Sequence, residues 1–206
     1  QSAEDDINDE ILCRTYYSAK ICTNPTITKT NSFAYTNETV VRQCYKLARI
    51  LHKALTKANI NYWMSGGTLL GCLRHKGLIP WDDDVNVCVY NESIVKIEQI
   101  LTPFLKDHDY SIVDSHGVGY KVFHNSDSVK IPGNPFNLRH PFADIFVMER
   151  KGDMCQLFEE KGRVVYPQMY FKNEEVENGE MRLYGDVYLN CIANPEEYLE
   201  RNYGED

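Results

Sequence analysis

Asp82, Asp83 and Asp84 stand in a row within SGGTLLGCLRHKGLIPWDDDVNV, the stretch from Ser65 to Val87. Adjacent carboxylates repel, so three together need either solvent or a counter-charge. In extended backbone, successive side chains alternate between faces. That alternation sets Asp82, Asp84 and Asn86 on one side and Asp83 on the other. Two carboxylates converging from one face are oxygen donors for a hard divalent cation such as Mg²⁺, which also keeps room for substrate phosphates. A third carboxylate, Asp144, interrupts the apolar run FADIFV. Burial there is costly unless the charge is paired or bound to a metal.

The same stretch carries groups suited to phosphate. Gly66 and Gly67 lie between a strand-like YWMS and a helical TLLGCLRH. Glycines let backbone amides approach a phosphate, and a helix N-terminus adds a favourable dipole. Ser65 and Thr68 are candidate hydroxyl donors. Arg74, His75 and Lys76 form a basic triplet at the helix end, where cations also suit the dipole. Trp81, fixed by the Pro80 turn, reads as packing. A glycine strand-to-helix turn, a D-x-D strand and a carboxylate on a later strand make the nucleotidyltransferase arrangement. In it the glycines and serine hold phosphates, and the carboxylates hold one or two cations that neutralise the phosphoryl group.

These residues need a scaffold. Val40, Val41, Cys44, Leu47, Ala48, Leu51, Ala54 and Leu55 recur at helical spacing. They predict a helix from about Glu38 to Ala58, capped by Thr36 or Asn37. A short strand at YWMSGG, a helix ending at Gly77, and a strand at DVNVCVY follow. Next come a helix starting at 91–93, strands at YSIVDS and YKVFHN, a loop over 126–140, and a strand at FADIFVME. RVVYPQMYF and RLYGDVYL read as strands or extended arms. NPEEYLERNYG reads as a terminal helix with Asn194 capping, Pro195 first and Gly204 after the end. The order predicts an α+β fold with one mixed central sheet flanked by helices. Residues 1–36 read as an N-terminal arm, which a Cys13–Cys22 disulfide could tie, and 37–206 as one domain.

Composition narrows the function classes. The net charge is -8 over 206 residues, with no basic face for nucleic acid. No apolar run reaches the length of a membrane span. No signal peptide is visible, and a chain starting at Gln1 reads as a mature or trimmed product. There is no CxxC, GxSxG, Walker loop or HExxH. Two sequons, at Asn37 and Asn91, together with seven cysteines, favour a secretory-pathway lumen (Golgi or ER) or secretion over the cytosol.

GGTLLGCLRHKGLIPWDDDVNV resembles the signature of the LicD family, which includes fukutin and fukutin-related protein. FADIFVMER is similar to that family's D-I-F segment, and PEEYLERNYGED to its Y-L-x-x-x-Y-G-D ending. The resemblance runs from about Tyr62 to the C-terminus and leaves 1–36 unmatched. It implies a nucleotidyltransferase fold that moves a phospho-alcohol group, such as phosphocholine or ribitol phosphate. The donor would be CDP-linked, the acceptor a glycan hydroxyl, and Mg²⁺ or Mn²⁺ would assist. On this resemblance Asp82 and Asp84 are metal ligands and Asp144 is the later carboxylate. Gly66, Gly67 and Thr68 line the phosphate turn, and Arg74, His75 and Lys76 contact anions. One residue departs from the pattern: the family usually has Asp where Asn86 stands. Asn keeps a carbonyl oxygen but no charge. The sequence leaves open an active enzyme, an inactive glycan- or nucleotide-binding protein on the same scaffold, and a transferase of the nucleotide itself.

Overall fold

The computed structural model describes residues 35–134 and 136–204. The Cys13–Cys22 pairing lies outside them. Helix α1 (Glu38–Lys57) begins where Asn37 Oδ1 accepts the Thr39 amide at 2.8 Å. Glu38 in its first turn and Lys57 in its last suit the helix dipole. Val41, Cys44, Leu47, Ala48, Leu51, Ala54 and Leu55 are all buried, so the apolar stripe is the core-facing side. Each large side chain there contributes about 1.5–3 kcal/mol by leaving water.

After α1 come β1 (Tyr62–Met64), α2 (Gly66–His75) and β2 (Val85–Tyr90). Residues 91–107 form helix α3, which opens as a 3-10 turn at Asn91–Ser93 and widens into a π turn over Ile97–Leu101. Ile97, Leu101, Phe104 and Leu105 are its buried residues, whereas Ile100 is exposed. Then follow β3 (Tyr110–Asp114), β4 (Gly119–His124), β5 (Val129–Lys130), β6 (Arg139–His140) and β7 (Ala143–Lys151). The chain continues through β8 (Met154–Leu157), α4 (Glu160–Val165), β9 (Tyr170–Lys172) and α5 (Asn173–Glu177). It ends with β10 (Glu180–Tyr184), β11 (Val187–Cys191) and α6 (Pro195–Tyr203).

Among the described residues, seven strands make one mixed sheet in the order β1-β2-β7-β4-β3, extended by β8 and β9 from the far half of β7. The β2–β7 pair is parallel and the others antiparallel. β2 is buried along its whole length, as expected of a central strand flanked on both faces. The α+β class with a mixed sheet flanked by helices is therefore observed.

Several local expectations change. RVVYPQMYF is not an extended arm: its β-branched first half is the end of helix α4, and only Tyr170–Lys172 joins the sheet. RLYGDVYL is a hairpin, β10 against β11. The 126–140 loop contains a short β5–β6 ladder. Lys76, at φ 60°, is the left-handed residue that ends α2, in place of Gly77. Asn194 precedes α6 without a side-chain capping bond. The five described cysteines, Cys44, Cys72, Cys88, Cys155 and Cys191, are buried free thiols, so the expected disulfide chemistry is not found among them. No helix among the described residues is long and apolar enough to cross a membrane.

Candidate active site

Three strands bring the charged residues together. In the parallel β2–β7 pair, Asn86 is the partner of Asp144; in the antiparallel β4–β7 pair, Asp144 is the partner of Lys121. Partners in register share a sheet face. Asn86, Asp144 and Lys121 thus form a row across the sheet. Lys121 Nζ is 2.5 Å from Asp144 Oδ1 and 3.8 Å from the centre of the Phe142 ring. Asp144 is 8% exposed. Burial pushes its carboxyl above the usual range, and the Lys121 ammonium opposes that rise.

The aspartate triplet lies just before β2 rather than in it. Extended backbone still alternates the three: Asp83 is exposed, and Asp82 and Asp84 are half-buried. Asp83 Oδ2 meets His140 Nε2 at 3.0 Å on the outside. Asp84 is pushed up to about 7, by burial first and then by the charges of Asp82 and Asp144, while a hydrogen bond from the Asn86 side chain opposes the rise. Burial pushes Asp82 up to about 6. Asp82, Asp84 and Asp144 are therefore one electrostatic unit.

The Gly66–Gly67 turn closes against this unit. A Cβ at Gly67 would stand 2.3 Å from Asp82 Oδ2, and one at Gly66 2.8 Å from Asn86 Oδ1. Gly66 also has φ +53°, where side chains are strained. Its amide donates to the Tyr198 hydroxyl at 3.1 Å, and Tyr198 stacks on Phe171. The terminal helix α6 thus sets the turn and engages the amide that the sequence assigned to phosphate.

The other predicted residues divide. Ser65 and Thr68 are fully buried. The Ser65 hydroxyl lies against the Cys88 thiol, and its amide donates to Asn86 O at 3.1 Å. Thr68 Oγ1 accepts the Asn86 amide at 2.7 Å. Both hold β2 against α2 and neither opens to a ligand. Arg74 is exposed, 5.7 Å over the Trp81 ring. His75 is lowered to about 4 by burial and by Arg74, so it is neutral at pH 7. Lys76 is exposed, and its carbonyl accepts the Gly185 amide at 2.6 Å. Trp81 is 43% exposed, not packed: Ile79 and Pro80 take the interior and turn it outward.

Two tyrosines complete the rim. Burial raises the Tyr203 hydroxyl, with Asp82 and Asp84 adding to the rise and Arg74 opposing it. Tyr166 is raised by burial and then by Asp144 and Asp84. Both rings remain substantially exposed.

Among the described residues, no three His, Cys, Asp or Glu side chains stand close enough to hold a metal alone. The donors are nevertheless of the right kind. Asp82 and the Asn86 oxygen pack against one turn, Asp84 lies beside Asn86, and burial and then neighbouring charge lift both carboxyls. A hard cation held by few protein oxygens and completed by phosphate oxygens fits that set.

The family model for the LicD/FKTN/FKRP nucleotidyltransferase domain matches residues 59–191. That is well over half of the chain, and it contains Gly66, Gly67, Asp82, Asp84, Asn86, Lys121 and Asp144. The chain belongs to the LicD/FKTN/FKRP family.

An uncharacterized protein of Rickettsia prowazekii is 28% identical over 162 residues, covering 78% of this chain and 54% of that protein. Ribitol 5-phosphate transferase FKRP of Homo sapiens is 31% identical over 100 residues, 48% of this chain and 19% of its own length. Lipopolysaccharide cholinephosphotransferase LicD of Haemophilus influenzae is 33% identical over 67 residues, 32% of this chain and 24% of its own. The chain spans about half the length of the first relatives it matches, 54% and 45% of two Rickettsia proteins. Among solved structures, ANT(2")-Ia in complex with adenylyl-2"-tobramycin is a distant likeness, with TM-score 0.44 and 11% identity over 73% of this chain and 69% of that one.

Lys121, Tyr166, Tyr198 and Tyr203 are site residues that sequence reasoning missed. Lys121 carried one usable signal, a lone cation in the alternating strand YKVFH. Tyr198 and Tyr203 sit in PEEYLERNYGED, beyond the matched domain, where the resemblance marked the segment but not its use.

Proposed function

We propose that this LicD-family chain is a metal-dependent transferase that moves a phospho-alcohol group from a CDP-linked donor to a glycan hydroxyl. The observation that carries this reading is the electrostatic unit of Asp82, Asp84 and Asp144, with Asp82 packed under Gly67 and Asn86 under Gly66. The named relatives, a ribitol 5-phosphate transferase and a cholinephosphotransferase, supply the reaction class. Asp82 and Asp84, with the Asn86 oxygen beside them, would hold Mg²⁺ or Mn²⁺. The bound cation supplies charge that offsets the donor phosphates. Arg74 offers a second positive charge at the rim, where its field reaches Tyr203. Lys121 holds Asp144 in place and keeps the Asp82–Asp84–Asp144 unit from carrying three uncompensated charges. Exposed Tyr166 and Tyr203 flank the carboxylates and form the walls against which a donor would lie.

The compartment belongs to the same reading. Asn37 is exposed, and its Oδ1 makes the helix cap, which leaves the amide nitrogen for a glycan. We place the chain in a secretory lumen, and a glycosidase-induced gel shift of the expressed chain tests this.

The enzymatic test incubates the chain with CDP-ribitol or CDP-choline, Mn²⁺ and a panel of glycan acceptors, with mass spectrometry of the products. A phospho-alcohol on the acceptor supports the reading; a nucleotide on the acceptor replaces it with nucleotidyl transfer. No turnover together with no Mn²⁺ binding by calorimetry removes it.

One observation favours a second reading, an inactive glycan- or nucleotide-binding protein. Asn86 occupies the usual carboxylate position, and its neighbour Asp144 is already engaged by Lys121. If wild type and Asn86→Asp are both inactive while the chain still binds nucleotide, this reading holds.

A further inference from the structure

On the opposite side of the sheet lies a cavity of about 290 Å³, lined by Lys46, Arg49, Ile50, Lys53, His108, Tyr110 and His124. Lys46, Arg49 and Lys53 come from successive turns of α1, spaced so that they share one face. His124 is three residues along β4 from Lys121 and points to the other face of the sheet, the one that α1 covers. The cavity is therefore separate from the Asp82–Asp84–Asp144 unit.

Its charge is unusual for this chain. The protein carries a net charge of -8, yet three cations and two imidazoles surround this hollow and no carboxylate lines it. Carboxylates stand only around it. Asp127 is 3.5 Å from Lys46 and 3.9 Å from His124 Nε2, Asp109 is 3.6 Å from His124 Nδ1, and Asp186 is 2.5 Å from Arg49 Nη1. These contacts orient Lys46, Arg49 and His124 from outside. Lys53 has no ion pair among the described residues. Asp127 and Asp186 offset Lys46 and Arg49 from outside, which leaves the Lys53 charge for an anion inside to meet, with Lys46 and Arg49 as further donors. Arg and Lys donors together suit phosphate oxygens. Ile50 and Tyr110, both at most 9% exposed, give the floor an apolar surface for a compact ligand body.

We propose that this cavity binds a small phosphate-bearing anion, with the phosphate group held by Lys46, Arg49 and Lys53 above a floor of Ile50 and Tyr110. The site does not depend on the transfer reaction. Its ligand is either free inorganic phosphate or the phosphate of a small phosphorylated sugar.

Calorimetry of the whole chain at low ionic strength, with inorganic phosphate, glucose 6-phosphate and glucose, tests this, with histidine ring NMR signals followed in parallel. Saturable binding of phosphate or glucose 6-phosphate, but not glucose, is expected. Tighter binding of glucose 6-phosphate identifies the phosphosugar as the ligand, and equal or weaker binding identifies free phosphate. The His108 and His124 signals should move, and those of His75 and His140 should not. Lys46→Gln/Lys53→Gln, checked for folding by circular dichroism, should weaken binding about tenfold or more, and Lys151→Gln, at an exposed lysine outside both sites, should leave it unchanged. The proposal is overturned if neither phosphate compound binds, if the lysine pair can be replaced without effect, or if only His75 and His140 respond.

Discussion

Asn86 and Asp144 are register partners on adjacent parallel strands, and the Asn86 side chain hydrogen-bonds to Asp84. A neutral amide thus stands between two carboxylates where a third carboxylate would raise the repulsion. Asn86→Asp exchanges that hydrogen bond for a charge. We expect the metal-free variant to melt lower, by an amount corresponding to about 1–3 kcal/mol for a lost donor to a charged group. Mn²⁺ affinity should rise about tenfold, equivalent to roughly 1.4 kcal/mol. Thermal melts with and without Mn²⁺ measure both effects.

The raised carboxyls fix a pH dependence. Asp84 at about 7 and Asp82 at about 6 both lie above their ordinary 3.8 in the folded chain. The folded state therefore binds more protons than the unfolded state between about pH 4 and 7. The stability these groups contribute is fully present below pH 4 and lost as pH rises through 6 and 7. Metal-free protein should lose melting temperature across this window, and Mn²⁺ at pH 8 should restore it. Asp84→Asn should flatten the profile; an unchanged profile in that variant would contradict the assignment.

Gly67→Ala sets a methyl group 2.3 Å from Asp82 Oδ2. The carboxylate must move, because the helix backbone behind the methyl cannot. A displacement of about 1 Å at a reacting site costs on the order of a hundredfold in rate. We expect transfer activity to fall by about that factor with folding retained, as read by turnover alongside circular dichroism. Gly66→Ala should also destabilise, by about 1–2 kcal/mol, because its backbone is left-handed.

Lys121→Met leaves Asp144 buried with its counter-charge gone. Removing one partner of a buried pair costs about 3–5 kcal/mol. The Lys121 side chain is 23% exposed, so the lower end, about 3 kcal/mol, is expected. Lys121→Met/Asp144→Leu should recover much of it. Denaturant unfolding of the two variants makes the comparison.

Local signals in the chain were readable wherever neighbours in sequence decided the structure. The α1 stripe, the Asn37 cap and the buried β2 run are set within a few residues. The outward turn of Asp83 followed from extended backbone alone, even though β2 starts only at Val85. What escaped was long-range. Nothing in YKVFH says that Lys121 will lie beside Asp144, because strand pairing sets that neighbour. Thr68 and Ser65 carry hydroxyls suited to phosphate, but packing of α2 on β2 turns them inward. The valines of RVVYPQMYF favour strand, yet tertiary context winds them into α4.

The row through Asn86, Asp144 and Lys121 also bears on the order of assembly. The Gly66–Gly67 turn and the aspartate triplet belong to one local unit, tied by Thr68 to Asn86 across 18 residues. Asp144 and Lys121 belong to another, tied across 23. Each closes a short loop and can form early. The carboxylates of the first unit meet Asp144 through the longer-range pairing of β2 with β7, and Lys121 offsets the Asp144 charge through the shorter-range pairing of β4 with β7. The repulsive contact is thus the one with the larger loop to close, and it is made by the core strands of the sheet, whose burial opposes it.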